Sequence, residues 1–192
     1  MDLTRIKNFY YGLLPEIKPH EWDWLSQRFT IKHVAKGDFL FKESQVCRHV
    51  SFVNSGLFCF YINSDGKQIV NMFIRQGEYI SDYPSFIQCK PGTSYLEALE
   101  DAEVIQLSYE NVQESYATIP AFQKFGRLMA EFLIIMIDEH SRLLYTKTPE
   151  ERYRKMLNES NDILQRVPQY LIASYIGITP EALSRIRKRI SQ

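Results

Sequence analysis

Near the end of the chain, Glu181, Ser184, Arg185 and Lys188 recur at three- and four-residue steps, so on a helix they share one face. Their chemistry suits base-pair edges: arginine offers a forked donor to guanine, and glutamate accepts from the cytosine amino group. Arg187 and Arg189 flank that face and suit phosphates, which fix register without reading sequence. Gln169, opening the preceding helix, and Thr179 complete the candidate nucleic-acid set. On the opposite side Leu183, Ile186 and Ile190 are spaced to be buried together.

Such a face needs a frame to aim it. Ala173 is small enough for two helices to cross closely, and Gly177 suits the left-handed residue that ends a helix. Ile172, Ile176, Ile178, Leu183 and Ile186 provide apolar pins, Thr179 an N-cap, and Pro180 a good first-turn residue. The pattern predicts a helix-turn-helix, with short helices near Gln169–Tyr175 and Pro180–Ile190. A helical hairpin with a merely solvated charged face competes, but the combination favours DNA binding. Charge agrees: residues 1–140 hold 13 Lys+Arg against 18 Asp+Glu, and residues 141–192 hold 10 against 5. The net-neutral chain is thus an acidic body with a basic end, as contact with a polyanion requires.

Upstream, Thr148-Pro149-Glu150-Glu151 reads as the start of another helix, with a cap, a first-position proline and acids at the positive dipole end. From Ala121 to Tyr145 there is no proline and a single glycine, Gly126. Phe122, Phe125, Met129, Phe132, Met136 and Leu143 form one apolar stripe; Ala130, Leu133, Ile137, His140 and Leu144 form another. Two stripes exceed one packing surface, so one covers the body and the other meets a second copy. The expected dimer set is Phe125, Met129, Phe132, Leu133, Met136, Ile137 and His140. A long helix buried within one monomer is the alternative.

Turn signals punctuate the first hundred residues about every ten, the spacing of an all-β sandwich or barrel. They include Gly37, Asn54-Ser55-Gly56, Asp65-Gly66, Gln76-Gly77 and Pro91-Gly92. Strands are expected at Phe39–Phe41, Val50–Val53, Leu57–Ile62, Gln68–Ile74 and Val104–Leu107, with a hairpin turning at Gly66.

With these parts in place, the whole chain resembles the Crp/Fnr family, the group of the cyclic-AMP receptor protein and the fumarate–nitrate regulator. The resemblance is carried by Gly37, Gly56, Gly66 and Gly77, by Ala98-Leu99-Glu100-Asp101, by the long helix and by the terminal motif. It implies an α+β fold: an N-terminal double-stranded β-helix (a jelly-roll barrel), a long central dimerisation helix, and a C-terminal all-α helix-turn-helix lacking a complete wing. The implied divisions are 1–119 for a cyclic-nucleotide-binding-like sensor, 120–146 for the dimerisation helix and 147–192 for the DNA reader. The implied function is a homodimeric, sequence-specific transcription regulator with double-stranded DNA, and RNA polymerase, as partners. The family's Arg-Glu-x-x-x-Arg reading pattern stands here as Pro180-Glu181-Ala182-Leu183-Ser184-Arg185, so Glu181 and Arg185 carry over and the first arginine does not.

In the family's nucleotide binders a Gly-Glu-Leu turn holds the ribose and an Arg-Ser/Thr-Ala segment neutralises the cyclic phosphate. The matching positions here are Ser81-Asp82-Tyr83 and Gly92-Thr93-Ser94. A phosphate entering without a cationic partner meets a desolvation cost of several kcal/mol, so cyclic AMP is not expected to bind in the usual manner. Tyr79, Tyr83, Phe86 and Tyr95 either line an apolar cavity for another small ligand or fill the core. Cys47, Cys59 and Cys89 do not match an iron–sulfur spacing, and four scattered histidines give no haem or metal set, so no cofactor is expected.

The remaining expectations are exclusions. No His-x-His, Gly-x-Ser-x-Gly or phosphate-cradling loop marks an enzyme. No apolar run approaches the roughly 20 residues of a membrane span. Three separated cysteines and the absence of an export leader at Met1–Arg5 suit a cytoplasmic protein. Two other readings stand beside the leading one: a regulator binding a nucleotide or other small ligand in a non-standard pocket, and a protein-binding module whose degenerate reader no longer touches DNA.

Overall fold

The computed structural model describes residues 2–190. Two short helices, α1 (Thr4–Leu13) and α2 (Pro19–Ser26), lead into the strands β1 (Thr30–Val34), β2 (Phe39–Phe41), β3 (His49–Ser55) and β4 (Leu57–Ser64). After them come β5 (Lys67–Arg75), β6 (Tyr79–Ile80), a short helix α3 (Tyr83–Gln88), β7 (Ser94–Ala98) and β8 (Ala102–Ser108). The rest is helical: α4 (Tyr109–Thr118), α5 (Pro120–Thr146), α6 (Pro149–Glu159), α7 (Asn161–Arg166), α8 (Gln169–Tyr175) and α9 (Pro180–Ile190).

The strands form two four-stranded sheets, ordered β1-β8-β3-β6 and β2-β7-β4-β5. In the first, β8 runs antiparallel to both neighbours, pairing Ile105 with Ile31 and with Phe52. The two sheets agree with the sandwich or barrel that the turn spacing implies, and with the helices they make up the α+β fold expected from the resemblance. Between β3 and β4 the chain turns at Gly56, whose φ of +99° is open to glycine at little cost. A Cβ there would lie 2.8 Å from Ala102 Cα and 3.1 Å from the Asp101 carbonyl, so backbone would have to move.

The chain divides into two compact units. One comprises residues up to Phe60 with Ile74–Glu131; the other comprises Tyr61–Phe73 with Phe132 onward. The first unit is organised on aromatic rings from both ends of its sequence. Tyr10 of α1 stacks on Phe122 at 5.7 Å and lies 4.8 Å from Phe125, both on α5. Its hydroxyl accepts a 2.7 Å hydrogen bond from that of Tyr79, and burial pushes both phenols up and keeps them protonated. Ile6, Leu14, Leu25, Phe52, Phe86 and Ile119 close around this cluster.

Helix α5 is amphipathic, and its two ends differ. Phe122 and Phe125 are buried, whereas Phe132, Ile134, Ile135 and Ile137 are 60, 67, 57 and 53% exposed. No described helix is long and apolar enough to cross a membrane.

The Gly56 turn supplies a test. Gly56→Ala combines a left-handed backbone with a clash against Ala102, and should lower unfolding free energy by about 3 kcal/mol in urea titration. A loss below about 1 kcal/mol would contradict the close approach.

Candidate nucleic-acid interface and sensor cavity

The expected helix-turn-helix lies within the second unit. Helix α8 ends in a double reversal: Ile178 N–H donates to the Ala173 carbonyl at 2.9 Å and Gly177 N–H to that of Ser174 at 3.0 Å. This is the paired closure that a left-handed residue after a helix permits, and Gly177 has φ of +72°. Thr179 then caps α9, its hydroxyl accepting from Ala182 N–H at 3.3 Å. Ala173 and Leu183 are fully buried, and Ile172, Ile176 and Ile186 nearly so. Turning Leu183 and Ile186 inward leaves Glu181, Ser184, Arg185 and Lys188 exposed along the opposite ridge.

A guanidinium holds the turn from below. Arg152 of α6 is buried and donates from Nη1 to the Ile176 carbonyl at 2.5 Å, placing positive charge at the C-terminal end of α8. Sequence reading missed Arg152; the arginine in Glu150-Glu151-Arg152 reads as an ordinary surface charge. Around the reading ridge, Gln169, Ser184, Arg187 and Lys188 share one shallow depression. Arg189, expected to contact phosphate, is instead ion-paired with Glu150, which also pairs with Arg154. A DNA phosphate would have to compete with that carboxylate.

The expected dimer set is not all outward. Phe125 is buried against Tyr10 and Phe122, and Met129 packs on the same core, because α5 closes the first unit along its N-terminal half. Leu133 and Met136 are half-buried. His140 lies within the second unit, stacked on Tyr175 at 4.7 Å; burial and then the Arg152 charge hold its imidazole below its ordinary range. The exposed apolar residues are Phe132 and Ile137 from that set, with Ile134 and Ile135. The uninterrupted run Phe132–Ile137 was the signal for these last two.

In the first unit the expected nucleotide pocket has a different form. Asp82 is buried and caps α3, accepting from Ser85 N–H at 3.1 Å through Oδ1, while Oδ2 has no hydrogen-bond partner. That second oxygen lies against Gly92: a Cβ at position 92 would overlap it and crowd the Asp82 carboxyl carbon and Ser85 Cβ. No side chain fits at residue 92 while Asp82 keeps this position. Position 92, where the resemblance expects a phosphate-neutralising arginine, is glycine, and the Asp82 carboxylate covers it.

A cavity of about 240 Å³ does exist nearby, on the side of β3. Its polar lining includes Gln45, Arg48, His49, Ser51, Ser81 and Gln106. Of the six residues expected to form the pocket, only Ser81 borders it; Asp82, Tyr83, Gly92, Thr93 and Ser94 do not. Tyr79 and Phe86 fill the core, and the Tyr95 hydroxyl donates to Glu43 at 2.8 Å. Ser51 and Gln106 bond to each other at 3.0 Å, and burial, then Lys32, holds His49 below its ordinary range. Among the described residues no three His, Cys, Asp or Glu side chains cluster as a metal site would require.

Comparison with known proteins fits this geometry. Residues 31–118 match the cyclic nucleotide-binding domain family. FixK2 from Bradyrhizobium japonicum is 19% identical, with 85% of this chain and 84% of that one covered at a TM-score of 0.75. The c-di-GMP responsive global regulator CLP of Xanthomonas campestris is 15% identical over 91% and 92% of the two chains, with a TM-score of 0.74. A Crp/Fnr-family transcriptional regulator from Eubacterium rectale is 17% identical over 95% and 87%, also at 0.74. No curated protein matches the chain by sequence. Residues 31–118 are thus similar to cyclic nucleotide-binding domains, and the chain shares its overall fold with these solved regulators.

The Asp82–Gly92 contact predicts how the expected nucleotide pocket responds to cyclic AMP. Calorimetric titration of cyclic AMP should give no binding heat at micromolar concentrations. A micromolar association would mean that Asp82 leaves its cap and that backbone amides suffice for the phosphate.

Proposed function

We propose that this chain, a cyclic nucleotide-binding domain continuing into the fold of Crp/Fnr-type regulators, is a homodimeric, sequence-specific DNA-binding transcription regulator that does not answer to cyclic AMP in the usual way. The observation that carries this reading is the ridge Glu181–Ser184–Arg185–Lys188, exposed on a helix whose opposite face is fully engaged. A helix of 11 residues, capped by Thr179 and turned at Gly177, is a body of the size the major groove admits.

The division of labour follows from position. Glu181 and Arg185 stand four apart on the ridge, where both reach base edges. Arg187 and Lys188, bordering the depression with Gln169 and Ser184, suit the phosphates alongside. Residues 1–119 act as sensor, 120–146 as dimerisation helix and 147–192 as reader. The exposed Phe132, Ile134, Ile135 and Ile137 support the dimer, since apolar surface of this extent on a helix is costly to leave in water. A two-fold pair would set the reading helices about one DNA turn, roughly 34 Å, apart on a palindromic site. Such a protein works in the cytoplasm, where the DNA is.

A second reading has one observation in its favour. The cavity with Arg48, His49, Ser51 and Gln106 on its wall gives a small polar effector a place to enter without using the blocked position at Gly92. At about 240 Å³ it sits just below the range of roughly 300–1,000 Å³ typical of small-molecule sites.

Two measurements test the leading reading. With duplexes selected from a random pool, Arg185→Ala should cost about 1–3 kcal/mol and relax preference at one base pair of each half-site. Arg187→Ala should instead weaken every duplex alike and reduce the salt dependence by about one ion. Equal loss on all sequences for Arg185→Ala would overturn these roles. Separately, Phe132→Glu with Ile135→Glu should convert a dimer to monomers in sedimentation; an unaltered mass would place the dimer contact elsewhere.

A further inference from the structure

Strand β5 lies at the edge of its sheet, beside β4 alone. An edge strand presents a row of N–H and C=O groups without a ladder partner. On β5 two of them are met by one side chain of the reader. The Ser174 hydroxyl donates to the Gln68 carbonyl at 2.6 Å and accepts from Val70 N–H at 3.0 Å. A strand's C=O at one residue and N–H two residues on point the same way, so this hydroxyl stands in for one residue of a missing neighbour strand. Val70 itself is buried. The hairpin tip, Tyr61–Phe73, belongs to the same compact unit as the reader.

The contact does not stand alone. Next to Ser174, Tyr175 packs on Phe73 of β5 at 5.4 Å and on His140 of α5 at 4.7 Å. One residue further, the Ile176 carbonyl accepts from Arg152. Three successive residues at the end of α8 are thus tied to β5, α5 and α6 in turn, immediately before the bend that aims α9. With all three in place, Glu181, Ser184, Arg185 and Lys188 stay exposed. The docking therefore leaves the reading ridge open instead of covering it.

We infer that Ser174 is a positioning residue for DNA recognition: by completing the edge of β5 it fixes α8, and through the Gly177 bend the direction of α9. This rests on the DNA-binding reading above. The hydroxyl need touch no nucleotide to act. It sets how precisely the ridge meets base edges, while phosphate contacts from Arg187 and Lys188 tolerate a looser reader.

The test uses the full chain with Ser174→Ala and Ser174→Thr; alanine favours a helix and threonine keeps the hydroxyl. In hydrogen exchange followed by NMR, Ser174→Ala should speed the Val70 amide at least about tenfold, and Ser174→Thr should restore its protection. On a duplex selected from a random pool by the unaltered protein, Ser174→Ala should weaken binding about five- to tenfold, with threonine again restoring it. Binding to a scrambled duplex at the same salt should not change. Unaltered Val70 exchange would overturn the contact. Faster exchange with undiminished preference for the selected duplex, or equal loss on both duplexes, would overturn the positioning role. If the unaltered protein bound no duplex at all, the DNA-binding reading and the positioning role would fall together, and Val70 exchange would still decide the contact.

Discussion

The bend between α8 and α9 rests on one guanidinium beneath it. The C-terminal end of α8 carries carbonyls without helical partners and the negative end of the helix dipole. Arg152 answers both by donating from Nη1 to the Ile176 carbonyl, while its buried Nε has no hydrogen-bond partner. The bend can then be short, with Gly177 the left-handed residue and Thr179 starting the next helix two residues later. Leu183 and Ile186 go inward because the bend fixes the phase of α9. The polar ridge faces outward for the same reason.

The first unit combines the fold of its domain type with a different arrangement at the expected pocket. Here a short helix, α3, starts at the expected pocket and is capped by Asp82. The same carboxylate that stabilises the helix start fills the space that a cation would need. Space of useful size is found instead beside β3, where Ser51 and Gln106 already satisfy one another.

Much of the architecture is legible in the sequence because its signals are local. The reader announces itself through Ala173, Gly177 and Thr179-Pro180 within a few residues, and the long helix through 25 residues without proline. The strands fall between their turn residues. What the sequence does not disclose depends on distance. Helices α1 and α2 draw their stability from Phe52, Phe122 and Phe125, far away in the chain, so Ile6 and Tyr10 carry no local sign of burial. The contact of Ser174 with Gln68 and Val70 spans more than a hundred residues and follows only once β5 is known to be an edge. Periodicity assigns Phe125 and Met129 to the same stripe as Phe132; only the end of the first unit at Glu131 separates them.

The overlap at Gly92 also constrains how this sensor can change. Introducing arginine there meets Asp82 before it meets any phosphate, and replacing Asp82 first removes the cap of α3 with nothing yet gained. Each single step on the route to a nucleotide-type pocket is thus unfavourable, and only the two together make room. Sterics and the α3 cap together keep a side chain out of position 92, whereas the open space beside β3 carries no such constraint.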